Sequence, residues 1–382
     1  MEFNLTPEQK KFQQTIQKFA EDVVAKEVKQ MEETKRFPKS LMNQMGKRGY
    51  MGIPIPEKYG GMGMDYMTYI MAIHEISKVS ASVGAILSVH TSVGTNPILQ
   101  FGNEAQKSEY LPKLASGQFL GAFALTEANA GSDAANLQSK ANKSNDYYIL
   151  NGSKTFITNG KEADTFIAFA RTSNEGRSKG ISAFIIEKDA PGFIIGKEEK
   201  KMGLHGTSTV EIIFDNCKVP ETQRLGNEGE GFHIAMANLN AGRIGIAAQA
   251  LGIAEGALNE AKNNLTVQTD FENPLSNNTK DIIHLENREA EVEAAKLLTY
   301  RAATLIDQGV PCRKEVSMAK MFASKTAMKT VQDVAQIFGL TGHLEDDTIG
   351  RYFRDAKVTE IYEGTNEIQH IVIAKELTRS LG

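Results

Sequence analysis

The sequence predicts an α+β fold: a helical N-terminal domain, an antiparallel β-domain in the middle, and a C-terminal helical domain. Two observations carry the prediction. Apolar residues recur at helical spacing towards both ends of the 382 residues. Between them, short β-branched and aromatic runs are separated by Asn-Gly, Gly and Asn/Asp turns. The expected domains span residues 1–120, 121–226 and 227–382.

The N-terminal domain opens at Thr6-Pro7-Glu8-Gln9, with Thr6 as N-cap, Pro7 first in the helix and Gln9 closing a capping box. Phe12, Ile16, Phe19, Val23 and Val24 continue as a helical stripe. Gly52-Ile53-Pro54-Ile55-Pro56 and Tyr59-Gly60-Gly61-Met62-Gly63 form a loop, because proline and glycine end helices on both sides. One long apolar helix is expected from about Tyr66 to Asn96, stopping before Pro97.

In the middle domain, Ala122 to Thr126 is an apolar strand leading into Ala130-Gly131-Ser132-Asp133. Small and hydroxyl residues with free backbone N–H groups there can cradle an anion or the edge of a heterocycle; a plain strand-ending turn has the same composition. Further strands are expected at Tyr147–Leu150, Thr165–Ala170, Ile181–Ile186 and Val210–Phe214. Asn151-Gly152 carries a hairpin-turn signal. Phe156 and Thr158 are expected on one strand face, one to stack and one to hydrogen-bond. The C-terminal domain has helical spacing over Ile244–Ala261, Asp281–Ile306 and Val316–Phe338, with a polar, turn-like stretch from Val267 to Asn278.

Composition excludes several classes. Apolar content of 41% and charged content of 24% are those of an ordinary globular chain. A net charge of −4 calls for no nucleic acid. Cys217 and Cys312 show neither metal nor redox spacing, which predicts a reducing, cytoplasmic setting. The start, Met1-Glu2-Phe3-Asn4, lacks a signal pattern, and no apolar run nears the ~18 residues of a membrane span. The seven histidines are scattered, so no metal site is expected. The chemistry concentrates at Ile361-Tyr362-Glu363-Gly364-Thr365-Asn366-Glu367-Ile368-Gln369. A carboxylate walled by Ile361 and Tyr362 is expected to be desolvated, which strengthens it as a base.

These stretches, in register along the whole chain, resemble the acyl-CoA dehydrogenase family. The matching residues are Gly52-Ile53 with Pro56 to Gly61, Leu125-Thr126-Glu127 with Ala130 to Asp133, Asn151 to Lys154 with Ile157-Thr158-Asn159, and Lys201-Met202-Gly203 with Ser208-Thr209. They continue through Gly242-Arg243, Gln336 to Gly339, Arg354 to Lys357 and Ile361 to Gln369. The wording of Gly242 to Ala247 is most similar to short-chain (butyryl) and short branched-chain members.

The resemblance implies a C-terminal domain built as a four-helix bundle, FAD as cofactor and Glu363 as the base that removes the α-proton of an acyl thioester, with electrons passed to electron-transferring flavoprotein. In some relatives the base stands instead where this chain has Gly242, which leaves Glu363. Phe123, Leu125, Thr126, Gly131, Ser132, Phe156, Ile157 and Thr158 match flavin contacts; Thr365, Asn366 and Glu367 match contacts after the base. Gln268, Gln336, Gly339 and Leu340 stand where the family supplies cofactor contacts between subunits, implying a homo-oligomer, a dimer of dimers. Ser132, Asn240, Arg243 and Gly364 match acyl-CoA contacts.

The chain departs from the family at several points. Gln268 replaces an arginine, Glu272 a glycine, Thr279 a glutamine and Leu340 a glycine, while Phe156 replaces a tryptophan. A glutamine cannot give a diphosphate the planar cation of arginine. Two classes of function therefore fit: a flavoenzyme oxidising a short acyl-CoA, or a fold-retaining relative that binds acyl-CoA or a partner with weakened FAD. An oxygen-using oxidase is a variant of the first.

Overall fold

The computed structural model describes residues 5–267, 279–345 and 347–379. Gln268, Glu272 and most of the polar stretch 267–278 lie outside the described residues.

Helix α1 (Pro7–Phe19) begins with the expected capping box: Gln9 N donates to Thr6 Oγ1, and Thr6 N to Gln9 Oε1. A π-helical turn, Ala20–Val24, joins it to α2 (Ala25–Thr34), and α3 (Lys39–Lys47) follows. The Gly/Pro loop holds two short 3₁₀ turns, Tyr50–Gly52 and Glu57–Tyr59. The single helix expected over Tyr66–Asn96 is divided. It forms α4 (Tyr66–Val79) and α5 (Ala81–Val89), then a π-helical turn His90–Thr95 and α6 (Asn96–Phe101); α7 (Glu104–Ala115) completes the zone. Ser80 makes the break: extended at φ −145°, ψ 105°, it accepts Val83 N on its side chain and so caps a new helix.

Eight strands follow: β1 (Gly121–Ala124), β2 (Lys140–Ser144), β3 (Tyr147–Thr158), β4 (Thr165–Arg171), β5 (Ile181–Glu187), β6 (Phe193–Glu198), β7 (Thr209–Pro220) and β8 (Arg224–Leu225). The sheet order is β6-β7-β3-β2-β4-β5-β8, with β1 added on β4. Most pairings are antiparallel, as expected, but β1 runs parallel to β4 and β2 meets β4 in parallel at Lys140 and Arg171. The long excursion through β2 and β3 is the crossover that parallel pairing requires.

Asn151-Gly152 is not a hairpin turn. The turn between β2 and β3 is Asn145-Asp146, with Asn145 at φ 52°, and Gly152 lies inside β3 at a register shift against β7. A Cβ on Gly152 would sit 2.4 Å from Ser139 Oγ, so this glycine serves a bulge and a close approach.

The C-terminal zone comprises α8 (Gly231–Val267), α9 (Thr279–Asp307), α10 (Arg313–Phe338), α11 (Thr348–Thr359) and α12 (Asn366–Arg379). Helix α8 packs along α10 and α4, α9 and α11 flank them, and α12 lies beside α10. The alanines and isoleucines of Ile244–Ala261 are buried because α8 is enclosed by both helical zones.

Polar ties cross the zones. His90, fully buried, accepts Gly121 N at 3.1 Å and contacts Leu114 O at 3.1 Å, which joins the π-helical turn to β1. Burial pulls its pKa down to about 4, so it is neutral. Glu32 of α2 meets His205 Nδ1 and Arg354 Nη2, each at 3.0 Å, and Asp355 of α11 accepts Leu204 N at 2.6 Å. Both cysteines are free and buried. Among the described residues, no helix is long and apolar enough to cross a membrane.

Candidate active site

Helix α11 ends at Thr359, and α12 starts at Asn366. Between them Glu363 (φ 54°) and Gly364 (φ 91°) are both left-handed, which turns the chain sharply. Glycine takes such a backbone freely, whereas for glutamate it is a strained conformation of the kind that gathers at functional sites. Three side chains hold the turn. Arg243 Nε donates to Glu363 O at 3.3 Å, and Lys320 Nζ and Gln369 Nε2 donate to Gly364 O at 2.8 and 2.9 Å. Asn240 Oδ1 in turn accepts Arg243 Nη1 at 3.3 Å. The structure thus brings Asn240, Arg243, Glu363 and Gly364 together.

The wall around Glu363 differs from the expected one. Ile361 is 52% exposed, and the Tyr362 hydroxyl turns inward to Gln249 of α8, whose amide donates to Ala81 O. The carboxylate lies instead against Gly242, where an added Cβ would sit 2.9 Å from Oε2. Oε2 is buried with no hydrogen-bond partner. Burial pushes the Glu363 pKa up to about 7, while Arg243 and Lys320 pull the other way. A half-buried carboxyl poised at neutral pH, with one oxygen buried and unpartnered, can accept a proton from a weak carbon acid.

A cavity of about 400 Å³ opens beside this turn, lined among others by Tyr66, Asn96, Asn240, Ala241, Asp307 and Arg313. The Tyr66 hydroxyl donates to Ala241 O at 2.7 Å, and the Asp307 carboxylate accepts the Tyr66 and Met67 N–H groups. These bonds fix α4 and α9 around the cavity.

The second group of predicted residues lies on the β-domain. Leu125 is buried and Phe123 packs on Phe169, with ring centroids 4.9 Å apart. Gly131 and Ser132 are exposed, and nothing lies within 4 Å of a Cβ built on Gly131. Their loop is clamped from below. The Glu127 carboxylate accepts Gln138 N at 2.5 Å, Ser139 N at 3.0 Å and Lys154 Nζ at 2.7 Å, and Lys154 also reaches Leu125 O. A bulge in β3 between Lys154 and Ile157 places Phe156 at φ 58° and leaves it 66% exposed. Phe156 and Thr158 therefore do not share a face by simple alternation. Ile157 is buried in the sheet core, so its side chain faces away from any ligand and only its backbone is on offer.

After Glu363, Thr365 caps α12 by accepting Ile368 N, and Glu367 is exposed. Asn366 is buried; its Oδ1 accepts Lys320 Nζ and Ser324 Oγ, so that oxygen faces the protein and not a ligand. Gln336, Gly339 and Leu340 stand exposed at the end of α10, with Leu340 90% exposed. The bulky side chain of Leu340 points to solvent and obstructs nothing within its own chain. Lys320 and Gln249 escaped the sequence reading, and Lys154 entered it only within a matching stretch, without a role: each acts through a partner 27 to 113 residues away.

Exposed Phe156 in a strained backbone, the open loop at Gly131-Ser132 and the orphaned Glu363 Oε2 fit a planar heterocycle and a substrate beside the base.

Comparison with known proteins agrees. Residues 6–118, 122–217 and 229–378 match the family models described as acyl-CoA dehydrogenase N-terminal, middle and C-terminal domains. An acyl-CoA dehydrogenase of Bacillus subtilis (strain 168) is 55% identical, covering 98% of this chain and 99% of its own. The structure of butyryl-CoA dehydrogenase from Megasphaera elsdenii superposes with a TM-score of 0.96 at 44% identity, over 99% of this chain and all of that one. A chain in a structure of the electron transferring flavoprotein of Acidaminococcus fermentans gives 0.97 at 46% identity, over 99% of this chain and 100% of that chain.

Proposed function

This chain belongs to the acyl-CoA dehydrogenase family of FAD-dependent oxidoreductases, and from that premise we propose that it oxidises a short-chain acyl-CoA to the trans-2-enoyl-CoA. The observation that carries the proposal is Glu363: a half-buried carboxyl with one buried, unpartnered oxygen and a pKa near 7 on a strained turn. Glu363 takes the α-proton of the thioester. FAD, when bound, accepts the β-hydride, so that two hydrogens leave the substrate and one double bond forms. Arg243 holds the turn, and Asn240, bonded to it, lines the cavity that takes the substrate. Phe123, Leu125, Thr126, Gly131, Ser132, Phe156 and Thr158 form the flavin face, with Ile157 contributing backbone only; Thr365 and Glu367 complete it. Short acyl chains and electron-transferring flavoprotein as acceptor are supported by the similarity to butyryl-CoA dehydrogenase and to the flavoprotein-associated chain.

The working unit is proposed to be a homo-oligomer. Gln336 lies sixteen residues from Lys320 along α10, about 24 Å at the rise of an α-helix. The exposed Gln336–Leu340 end is thus remote from its own base and suited to a second copy's cofactor. A monomer by light scattering at micromolar concentration, with FAD retained, contradicts this.

The reaction is tested anaerobically. Purified protein carrying flavin is mixed with butyryl-CoA, and loss of the flavin absorbance is followed. Wild type is expected to bleach, and Glu363→Gln to bind FAD and butyryl-CoA but not to bleach. Reduction of Glu363→Gln at the wild-type rate removes Glu363 from the role.

A further inference from the structure

Lys320 is fully buried in the middle of α10, yet its two direct partners, Gly364 O at 2.8 Å and Asn366 Oδ1 at 3.1 Å, are both neutral. A buried cation is costly without an anion nearby. Burial pulls its pKa to about 8, and Glu363 is the foremost charge opposing that pull. The carbonyl it grips belongs to the residue after Glu363. The groups facing Glu363 are few. Arg243 comes from α8 and Lys320 from α10. Tyr66 and Tyr69 from α4 and Tyr362 from the turn itself stay neutral, since burial raises all three. Glu360 and Glu367 flank Lys320 from either side of the turn, and Arg313 lies near Arg243.

Arg243 is committed to Glu363 O and Asn240. Lys320 is likewise committed, to Gly364 O and Asn366 Oδ1. We propose that Lys320 is a positioning residue that fixes the turn carrying Glu363 through Gly364 O and, together with Arg243, favours the ionised form of that carboxyl. The proposal rests on Glu363 being the base. Position and charge are separable. Glutamine at 320 keeps an N–H donor for Gly364 O without the cation, and methionine keeps neither.

The test follows the carboxyl directly. In the FAD-loaded protein, the infrared carboxyl band of Glu363, assigned by its loss in Glu363→Gln, is titrated against pH. In Lys320→Gln and Lys320→Met the midpoint is expected to rise by about one unit. The pH at half-maximal flavin reduction by butyryl-CoA rises equally. Lys320→Arg is the second variant: it keeps a cation and N–H donors, and the Glu363 midpoint should stay at the wild-type value with every helix intact. A midpoint unchanged in folded Lys320→Gln, or raised equally in Lys320→Arg, overturns the proposal. If Glu363→Gln reduces flavin normally the base reading fails, while the infrared titration still reports on Lys320.

Discussion

Gly242 and Glu363 show how much one missing side chain does. A Cβ at 242 would meet the carboxylate oxygen at 2.9 Å, and that oxygen is the movable end of a side chain. Gly242→Ala should therefore displace the carboxylate and leave α8 intact. In a helix interior alanine is favoured over glycine by about 1 kcal/mol, so the melting temperature should hold or rise. Flavin reduction should fall by roughly a hundredfold, the cost of a misplacement on the ångström scale. Loss of folding instead would show that the space at 242 serves α8 packing. For wild type, a base with a pKa near 7 predicts that flavin reduction rises with pH through neutrality and levels above it, as a pH series of single-turnover rates will record. The sequence named Glu363 and Gly242 but not the reason for the desolvation. Of the expected wall, Ile361 is exposed, and bare backbone from Gly242, 121 positions earlier, lies against the carboxylate.

At the scale of elements, β3 and the loop after β1 act as one unit through Lys154. Its ammonium is fully buried, bound to Glu127 and Leu125 O, while Glu127 ties down Gln138 and Ser139. Both edges of the proposed flavin face, Gly131-Ser132 and Phe156, hang from this pair. Removing one partner of a buried pair strands the other. Lys154→Met should cost about 3 kcal/mol in denaturant unfolding and weaken FAD in titrations of stripped protein. Full FAD affinity in the variant would mean the loop holds itself. Element type was legible here because β-branched runs and glycines announce strands and breaks. Their use was not. Asn151-Gly152 marks a bulge because Ser139, brought alongside by pairing with β2, leaves no room for a Cβ. Ser80 divides a helix whose residues on both sides are almost all buried, so the apolar pattern runs through the break unmarked.

Across the whole molecule, the base is maintained against stability. Glu363 is raised from 4.5 to about 7 in the folded chain, so the fold binds its proton more tightly than the unfolded chain does. Its favourable contribution is complete below pH 4.5 and is lost as pH rises through 7. Glu363→Gln should therefore match wild type near pH 4 and exceed it by about 3 kcal/mol at pH 8 in unfolding measurements. A constant difference across that range would place the cost in the strained backbone. The zones that support this residue were legible as three segments, yet the bonds between them were not, because they join residues far apart in sequence. Glu32 bonds to His205 and Arg354, His90 to β1, Asp355 to Leu204, and Arg243 and Lys320 to the turn at 363. These ties bear on how such a chain can be inherited. A recombination event that carries off one segment severs ion pairs and carbonyl anchors whose other halves are encoded hundreds of nucleotides away, leaving buried charges on both sides of the cut. Descendants can diversify by substitution within the three segments far more readily than by trading them, and lineages should carry all three together, in this order.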